Sequence, residues 1–256
     1  MTQFAIRPVV RNLTGTTCFF RNRPLLDTLL QLLHDDDKPM YKALVHACSI
    51  GAEPYSLSIA HKQSEYSYDM EIYATDICSE FIDLARHGAF PKGVVDTMTM
   101  LEAMAFEPAS VFDKGDSVVL KNRYMDVTFF PALDYREKLC FDTFDVVLLN
   151  NTLVYVSEAD QRKALHNIAE YNTGYLVCSA FHADTIAKDL ADAGYVPVLT
   201  NAEKIYNSWE LRQQPSILPE NCHTSWHTGA FDMDKAKAYQ HCSIFRRVYG
   251  EEGEKA

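Results

Sequence analysis

A near-continuous apolar run in the middle of the chain constrains the fold more than any other feature. The run is Phe144-Asp-Val-Val-Leu-Leu149, which is typical of a central strand in a parallel sheet, because helices cover both faces of such a strand. Strand-like and helix-like patterns alternate around it. The strand-like runs are 42–47, 70–75, 126–130, 174–179 and 195–199, and the helix-like runs include 24–33, 53–63, 80–87, 158–171 and 183–193. This alternation predicts an α/β fold with a mostly parallel sheet and helices on both faces.

The composition is that of an ordinary folded protein with an excess of acidic residues. The 256 residues are 47% hydrophobic, which is enough to bury the core of one large domain. The net charge is −11, from 24 Lys and Arg against 35 Asp and Glu, and the basic residues are not clustered, so a nucleic-acid partner is disfavoured. No apolar run reaches the roughly 18 residues of a membrane span, and we expect a cytoplasmic protein.

The cysteine and histidine pattern favours reduced thiols over a metal site. The seven cysteines are an odd number and lack CxxC spacing. The segment Cys222-His-Thr-Ser-Trp-His227 and the pair His241-Cys242 offer ligand atoms, but their spacing matches no zinc pattern. We therefore predict no metal.

Polar residues and a single glycine follow the strand-like runs, where a parallel sheet places its ligands. Ligands of such sheets bind outside the carboxyl ends of the strands, so these residues are expected to converge. Asp126 is the exception in position, because it opens or precedes its strand. The predicted set is Gly51, Glu53, Asp76, Asp126, Asn150 and Asn151.

The turn after the first strand discriminates among adenosine cofactors. A dinucleotide places its pyrophosphate at the helix N-terminus, where the Glu53 carboxylate would repel it, and the glycines of the dinucleotide fingerprint beyond Gly51 are missing. S-adenosylmethionine has no phosphate and carries a sulfonium and an ammonium, so an acidic cleft suits it. Alternative explanations are that Glu53 stabilises the helix dipole and that Asp76 caps the following helix. Asp76 can also accept hydrogen bonds from ribose hydroxyls.

Four ordered motifs resemble the CheR-type chemotaxis receptor methyltransferases, which transfer a methyl group from S-adenosylmethionine to receptor glutamates. The resemblance spans roughly 140 residues and implies a Rossmann-like S-adenosylmethionine methyltransferase fold over 1–212. The motifs are Thr17-Cys-Phe-Phe-Arg21, Ala47-Cys-Ser-Ile-Gly-Ala-Glu-Pro-Tyr-Ser56, Ala74-Thr-Asp-Ile77 with Ala85-Arg-His-Gly88, and Phe144-Asp-Val-Val-Leu-Leu-Asn-Asn-Thr-Leu-Val-Tyr155.

The resemblance also implies roles for individual residues. Arg21 and Tyr155 would flank the reacting methyl group and serve as the catalytic residues. The alternative for Arg21 is a surface arginine paired with an acid, which the preceding Thr17 and two phenylalanines disfavour. The alternative for Tyr155 is a core aromatic whose hydroxyl reaches the surface. The implied cofactor contacts are Thr17, Arg21, Glu53, Asp76, Asp126, Val127 and the segment Leu149–Asn151.

Several departures from the family pattern leave the methyl acceptor open. Only sixteen residues precede Thr17, where the family has an N-terminal helical domain, and the family's Cys-Arg-Asn is replaced by Leu149-Asn150-Asn151. The family's receptor-tethering β-subdomain is not identifiable in 90–122, and 213–256 is interpreted as a tail or appendage of unknown role. We expect a methyltransferase that acts on a protein carboxylate or a small molecule. A noncatalytic S-adenosylmethionine-binding module is the alternative, and a chemoreceptor partner is not implied.

Overall fold

A computed structural model gives the fold of most of the chain. The chain divides into two compact units, Met1–Asp134 and Tyr135–Ala256. The residues that the structure describes are 5–6, 15–95, 98, 100–112, 117–178, 184–210, 231–232 and 234–249.

The first unit contains three parallel strands joined by helices. β3 pairs with β4 from Met40 to Val45, and β4 pairs with β8 through Tyr73 and Ala74. Because the three strands run in one direction, their carboxyl ends lie at one edge. The elements in chain order are β1 Ala5–Ile6, β2 Gly15–Thr16, α1 Arg23–Asp35, β3 Met40–Val45, α2 Ala52–Gln63, β4 Asp69–Ala74, α3 Ser79–His87, β5 Ala89–Pro91, α4 Lys92–Val95, α5 Met100–Phe106, β6 Ser110–Phe112, β7 Ser117–Leu120 and β8 Thr128–Phe129.

Local sequence signals explain where the first helices begin. The side chain of Asn22 accepts a hydrogen bond from the Leu25 N–H, and Pro24 occupies the first turn of α1, where a missing N–H costs nothing. Helix α2 begins after Gly51, whose φ of 93° lies in the left-handed region. Pro54 is again in the first turn. These two starts agree with the helices predicted from the sequence.

A small antiparallel sheet interrupts the α/β pattern of the first unit. Its strand order is β5-β7-β6, and β7 pairs with both neighbours. The sequence showed no identifiable β-subdomain in 90–122. The outer strands are three residues long, so each is too short to show the alternation by which strands are recognised.

The second unit combines one parallel pair of strands with an antiparallel insertion. β9 and β10 are parallel, whereas β12 lies between β10 and β11 and is antiparallel to both. The elements in chain order are β9 Phe144–Leu149, α6 Glu158–Tyr171, β10 Asn172–Cys178, α7 Asp184–Asp192, β11 Tyr195–Pro197, α8 Ala202–Glu210, α9 Lys235–His241 and β12 Ile244–Arg247.

The position of β12 corrects the interpretation of 213–256 as a tail or appendage. Ile244 and Phe245 are buried and pair with β10, so this part of the chain completes the sheet of the second unit. The domain boundary expected at 212 therefore does not mark the end of the folded unit. A four-residue strand after a proline-containing, irregular stretch gives too weak a pattern to be recognised.

The predicted fold class is confirmed. The pairs β3–β4, β4–β8 and β9–β10 are parallel, and helices connect the successive parallel strands β3 to β4 and β9 to β10. Within the described ranges, no helix is both long enough and apolar enough to cross a membrane.

Candidate functional site

The loop between β3 and α2 has an unusual backbone. Ala47 and Ser49 have φ values of 51°, and Gly51 has a φ of 93°. Every second residue of the loop is therefore in the left-handed region, although only one of the three is glycine. A left-handed conformation costs a residue with a Cβ atom about 1–2 kcal/mol. Strain of this kind persists only where neighbouring contacts impose it, and such positions concentrate at functional sites.

Hydrogen bonds to the end of β4 hold this loop in place. The Cys48 N–H donates to the Thr75 carbonyl at 3.0 Å, and the Ser49 N–H donates to Oδ2 of Asp76 at 2.8 Å. Within the loop, the Gly51 N–H donates to the Cys48 carbonyl at 2.9 Å. The loop after the first parallel strand and the acid after the second strand thus form one hydrogen-bonded structure, as the sequence predicted for Gly51 and Asp76.

Asp76 is a buried acid with remaining capacity to accept hydrogen bonds. It is 6% exposed, and its Oδ1 accepts a hydrogen bond from the Cys78 N–H at 2.9 Å. Burial raises the pKa of the Asp76 carboxyl, while backbone N–H groups, including that of Ser49, oppose the shift. A carboxylate has about four acceptor positions, and the N–H groups of Ser49, Ile77 and Cys78 act on this one, so about one position remains for a donor such as a ribose hydroxyl. Asp76 accepts from the N–H of Cys78, which is itself the N-cap residue of α3, so Asp76 stabilises the turn before that helix without being its cap.

The carboxylates of Asp76 and Glu53 both affect the pKa of the Cys48 thiol, which lies in the loop. Burial raises the pKa of Cys48 well above its usual value, and the negative charges of Asp76 and Glu53 raise it further. Glu53 lies in the first turn of α2, two residues after Gly51. The loop is therefore flanked by two carboxylates, an environment that favours a cationic ligand and disfavours a phosphate.

The donor set beside the loop fits the polar parts of S-adenosylmethionine. Oγ of Ser49 is buried and has no hydrogen-bond partner among the described residues. A buried hydroxyl without a partner is uncommon, and a bound ligand is one explanation for it. Together, the Ser49 hydroxyl and the Asp76 carboxylate match the mixed donor and acceptor character of a ribose.

The segment before α1 is anchored to α2 next to the loop. Phe19 and Phe20 are fully buried, and Thr17 is 9% exposed. The Phe20 N–H donates to Oγ of Ser56 at 2.9 Å, and that hydroxyl donates to a carbonyl in the first turn of α2. Phe20 has a φ of 47°, so the chain turns sharply before the half-buried Arg21. The residue before Arg21 is thus bonded to the helix that carries Glu53, and Thr17 lies in the same segment.

Asp126 and Val127 do not belong to this group, so the expectation that they join it is wrong. The Asp126 side chain is 81% exposed and pairs with Nζ of Lys62 at 3.2 Å. Lys62 lies in the last turn of α2, nine residues or about 13 Å beyond Glu53. Asp126 and Val127 precede β8, whereas Asp76 follows β4, so they lie on the amino-terminal side of the β4–β8 pairing and not beside Asp76.

The segment after β8 is the one that sequence reasoning missed. The Phe130 N–H donates to the Ala74 carbonyl at 2.9 Å, and the Leu133 N–H donates to the Asp76 carbonyl at 3.0 Å. Residues 130–133 therefore occupy the same place at the end of β8 that the loop before α2 occupies at the end of β3. The useful signal was the end of the Thr128-Phe-Phe130 run, because the carboxyl end of a strand, and not its beginning, faces the site.

The second unit carries its own group of predicted residues after β9. Asn150 is 7% exposed and follows the last strand residue, and Asn151 has a φ of 50°, a conformation that asparagine tolerates. A 3₁₀ turn, Leu153–Tyr155, comes next, and Tyr155 is 42% exposed. Asn150, Asn151 and Tyr155 thus lie at the carboxyl end of a parallel strand, as predicted.

The histidine-containing segment cannot be compared with its prediction. Cys222, His223 and His227 lie outside the described residues. In the part of the chain that the structure does describe, no group of three His, Cys, Asp or Glu residues could hold a metal ion.

Comparison with known families decides the classification. Residues 15–189 match the family described as "CheR methyltransferase, SAM binding domain". The chain belongs to the CheR methyltransferase family. The resemblance inferred from the four motifs is confirmed, and so is S-adenosylmethionine as the cofactor of this domain. The match includes every predicted site residue from Thr17 to Tyr155.

Curated CheR proteins are distant relatives of this chain. A chemotaxis protein methyltransferase of Listeria innocua is 25% identical over 160 residues, covering 61% of this chain and 60% of that protein. Chemotaxis protein methyltransferase 1 of Vibrio cholerae is 29% identical over 182 residues, covering 65% and 64%. The chain therefore matches less than two thirds of the length of these relatives.

Solved methyltransferase structures show a more remote likeness. Magnesium protoporphyrin IX methyltransferase from Synechocystis PCC 6803, solved with bound S-adenosylmethionine, is 18% identical with a TM-score of 0.42, covering 68% of this chain and 69% of that chain. A TehB-like S-adenosylmethionine-dependent methyltransferase from Corynebacterium glutamicum is 14% identical with a TM-score of 0.42, covering 85% and 83%.

Proposed function

We propose that this CheR-family chain is an S-adenosylmethionine-dependent methyltransferase whose acceptor is a carboxylate. The observation that carries the proposal is the loop from Ala47 to Gly51, which is bonded to Asp76 and flanked by Glu53. A carboxylate beside a helix N-terminus repels a phosphate, whereas it suits a ligand with a sulfonium and an ammonium. Membership of the CheR family supports the same cofactor.

Each unit, taken by itself, contains residues with a proposed role in cofactor binding. In the first unit, Asp76 would accept hydrogen bonds from the ribose, and Glu53 would face the cationic part of the molecule. Thr17 and Arg21 are further candidates, because their segment is anchored to the helix that carries Glu53. In the second unit, the candidates are Asn150 and Asn151.

The acceptor chemistry follows from the side chains proposed as catalytic. When bound, S-adenosylmethionine supplies a methyl group that a nucleophile takes by in-line displacement. A carboxylate is already ionised at neutral pH and needs no general base. The guanidinium of Arg21 would orient it through two parallel hydrogen bonds, or would hold the cofactor's own carboxylate. The exposed hydroxyl of Tyr155 would donate a hydrogen bond to the acceptor.

Arg21→Ala tests the catalytic part of the proposal, and Arg23→Ala is its matched control. Arg23 lies two residues away, pairs with Asp27 at 2.7 Å and stacks on the Phe20 ring at 5.3 Å. We expect Arg21→Ala to lower methyl transfer by about 10- to 100-fold, the effect of losing hydrogen bonds to a charged group. Arg23→Ala should stay within about twofold of wild type. Full activity of Arg21→Ala would refute the assigned role.

Two measurements distinguish the proposal from its rivals. Calorimetry with S-adenosylhomocysteine tests cofactor binding, and an absence of heat would contradict the cofactor assignment. Methyl-tritiated S-adenosylmethionine added to a cell lysate then tests transfer. Label that is released by base indicates a methyl ester and supports a carboxylate acceptor. Label that resists base indicates a different acceptor, and binding without any transfer indicates a noncatalytic module.

A further inference from the structure

One buried amide holds both ends of the turn that carries Tyr155. Gln161 lies on α6 and is fully buried. Its Nε2 donates to the carbonyl of Leu153 at 2.9 Å and to the carbonyl of Val156 at 3.1 Å. These two carbonyls come immediately before and after the Val154–Tyr155 peptide segment. The side chain therefore bridges the turn from the core side.

The orientation of this amide is determined by its two partners. Both partners are carbonyl oxygens, so the nitrogen has to face them, and the reverse orientation would place Oε1 of Gln161 against two acceptors. Oε1 is then left buried, with no hydrogen-bond partner among the residues described here. A buried oxygen without a partner costs free energy, and such a group in a folded protein calls for an explanation.

Besides Gln161, two backbone hydrogen bonds and one bond from Oγ1 of Thr152 to the Tyr135 hydroxyl, at 2.8 Å, restrain the turn. The Tyr155 N–H donates to the Thr152 carbonyl at 3.1 Å, and the Val156 N–H donates to the Leu153 carbonyl at 3.2 Å. These distances are at the long end of the range for hydrogen bonds. The residue that begins the turn, Thr152, makes no side-chain hydrogen bond to its backbone. The two bonds of the Gln161 amide are the ones that tie the carbonyls on both sides of Tyr155 to α6.

We propose that Gln161 is a positioning residue that fixes the Tyr155 hydroxyl for methyl transfer. Gln161 acts through the turn and touches no substrate itself. The unpaired Oε1 is tolerated because, among uncharged side chains, an amide of this length offers two donors to the two carbonyls. The proposal rests on the catalytic role proposed above for Tyr155.

The test compares Gln161→Met with a matched change on the same helix. Asn167 is also an amide of α6, and its Nδ2 donates to the Arg136 carbonyl at 2.8 Å, away from the turn. We expect Gln161→Met to lower methyl transfer to lysate acceptors by about tenfold, which corresponds to about 1.4 kcal/mol. Its affinity for S-adenosylhomocysteine should remain within twofold of wild type. Asn167→Leu should keep both quantities within about twofold.

A spectroscopic measurement reports the position of Tyr155 independently of the acceptor. Proteins labelled with 3-fluorotyrosine give one fluorine resonance for each tyrosine, and the resonance lost in Tyr155→Phe identifies Tyr155. We expect Gln161→Met to shift or broaden this resonance, and Asn167→Leu to leave it unchanged. A second variant, Gln161→Glu, keeps the side-chain size. Only its protonated form donates a hydrogen bond, so its activity relative to wild type should recover as the pH falls.

The outcomes separate this proposal from the proposed function. Wild-type protein that neither binds S-adenosylhomocysteine nor transfers methyl groups contradicts the proposed function. Suppose that wild type is active and Tyr155→Phe is inactive. If Gln161→Met then shows wild-type activity and an unshifted resonance, the positioning role is overturned and the proposed function is not. Equal losses in Gln161→Met and Asn167→Leu also overturn it, because they indicate a general weakening of α6.

Discussion

Replacing Gly51 with alanine should destabilise the first unit and weaken cofactor binding together. The residue has a φ of 93°, and an added Cβ would lie 3.0 Å from the Cβ of Ala85 and 3.0 Å from the ring of Tyr55. The backbone conformation costs about 1–2 kcal/mol for an L-residue, and the crowding costs about 1–3 kcal/mol more. We expect a loss of about 2–5 kcal/mol in the free energy of unfolding, measured by urea denaturation.

Binding should respond because the same crowding displaces the loop. The Gly51 N–H donates to the Cys48 carbonyl, and Tyr55 donates to the Ala85 carbonyl at 2.8 Å, so neither neighbour can withdraw freely. We expect the dissociation constant of S-adenosylhomocysteine to rise at least about tenfold, which calorimetry measures.

Gly88→Ala is the matched control for this experiment. Gly88 has a φ of 59°, but its added Cβ would meet only the end of the Met125 side chain, 2.6 Å from Cε. A methionine end can rotate away, so we expect only the backbone cost of about 1–2 kcal/mol and unchanged binding. The reasoning fails if Gly51→Ala is no less stable than Gly88→Ala, or if the two variants bind equally well.

Three further predictions test individual groups. Burial lowers the pKa of His46 to about 3, against the opposing charge of an acid. Because the unfolded chain takes up the proton first, unfolding free energy should fall by about 1.4 kcal/mol per pH unit below pH 6.5, and His46→Gln should flatten this slope. Ser49→Ala should leave stability unchanged or raise it, since no bond is lost, whereas Ser58→Ala should cost about 1–2 kcal/mol by breaking a 3.0 Å bond to a carbonyl. Asp126→Ala, which removes the exposed pair with Lys62, should change stability by less than about 1 kcal/mol and leave cofactor affinity unchanged.

Much of the candidate site could be predicted because it depends on where strands end. Glu53 and Asp76 follow clear apolar runs, and the structure brings both carboxylates to the Cys48 thiol. The same reasoning failed for Asp126, because this residue lies before its strand and the site lies at the carboxyl end. β8 has only two residues, so its short apolar run does not indicate where the strand begins or ends.

Other features depend on contacts that a sequence pattern does not contain. The left-handed backbone at Ala47 and Ser49 is imposed by bonds to the end of β4, and neither residue type favours it. Gln161 looks like an ordinary polar residue of an amphipathic helix, and only its partners reveal a restraint on the turn. Short strands such as β5 and β6 form because β7 is present to pair with them. Their own residues are too few to show an alternation of apolar and polar side chains.

The insertion of β12 between β10 and β11 has a consequence for the order in which the second unit can be built. β10 and β11 leave the ribosome well before Ile244, yet neither pairs with the other in the finished sheet. Until Ile244–Arg247 has been synthesised, both strands present unpaired edges, which are the surfaces through which chains aggregate. Completion of this sheet is therefore a late event of biogenesis, and a nascent or truncated chain that lacks β12 is exposed to mispairing at two edges at once.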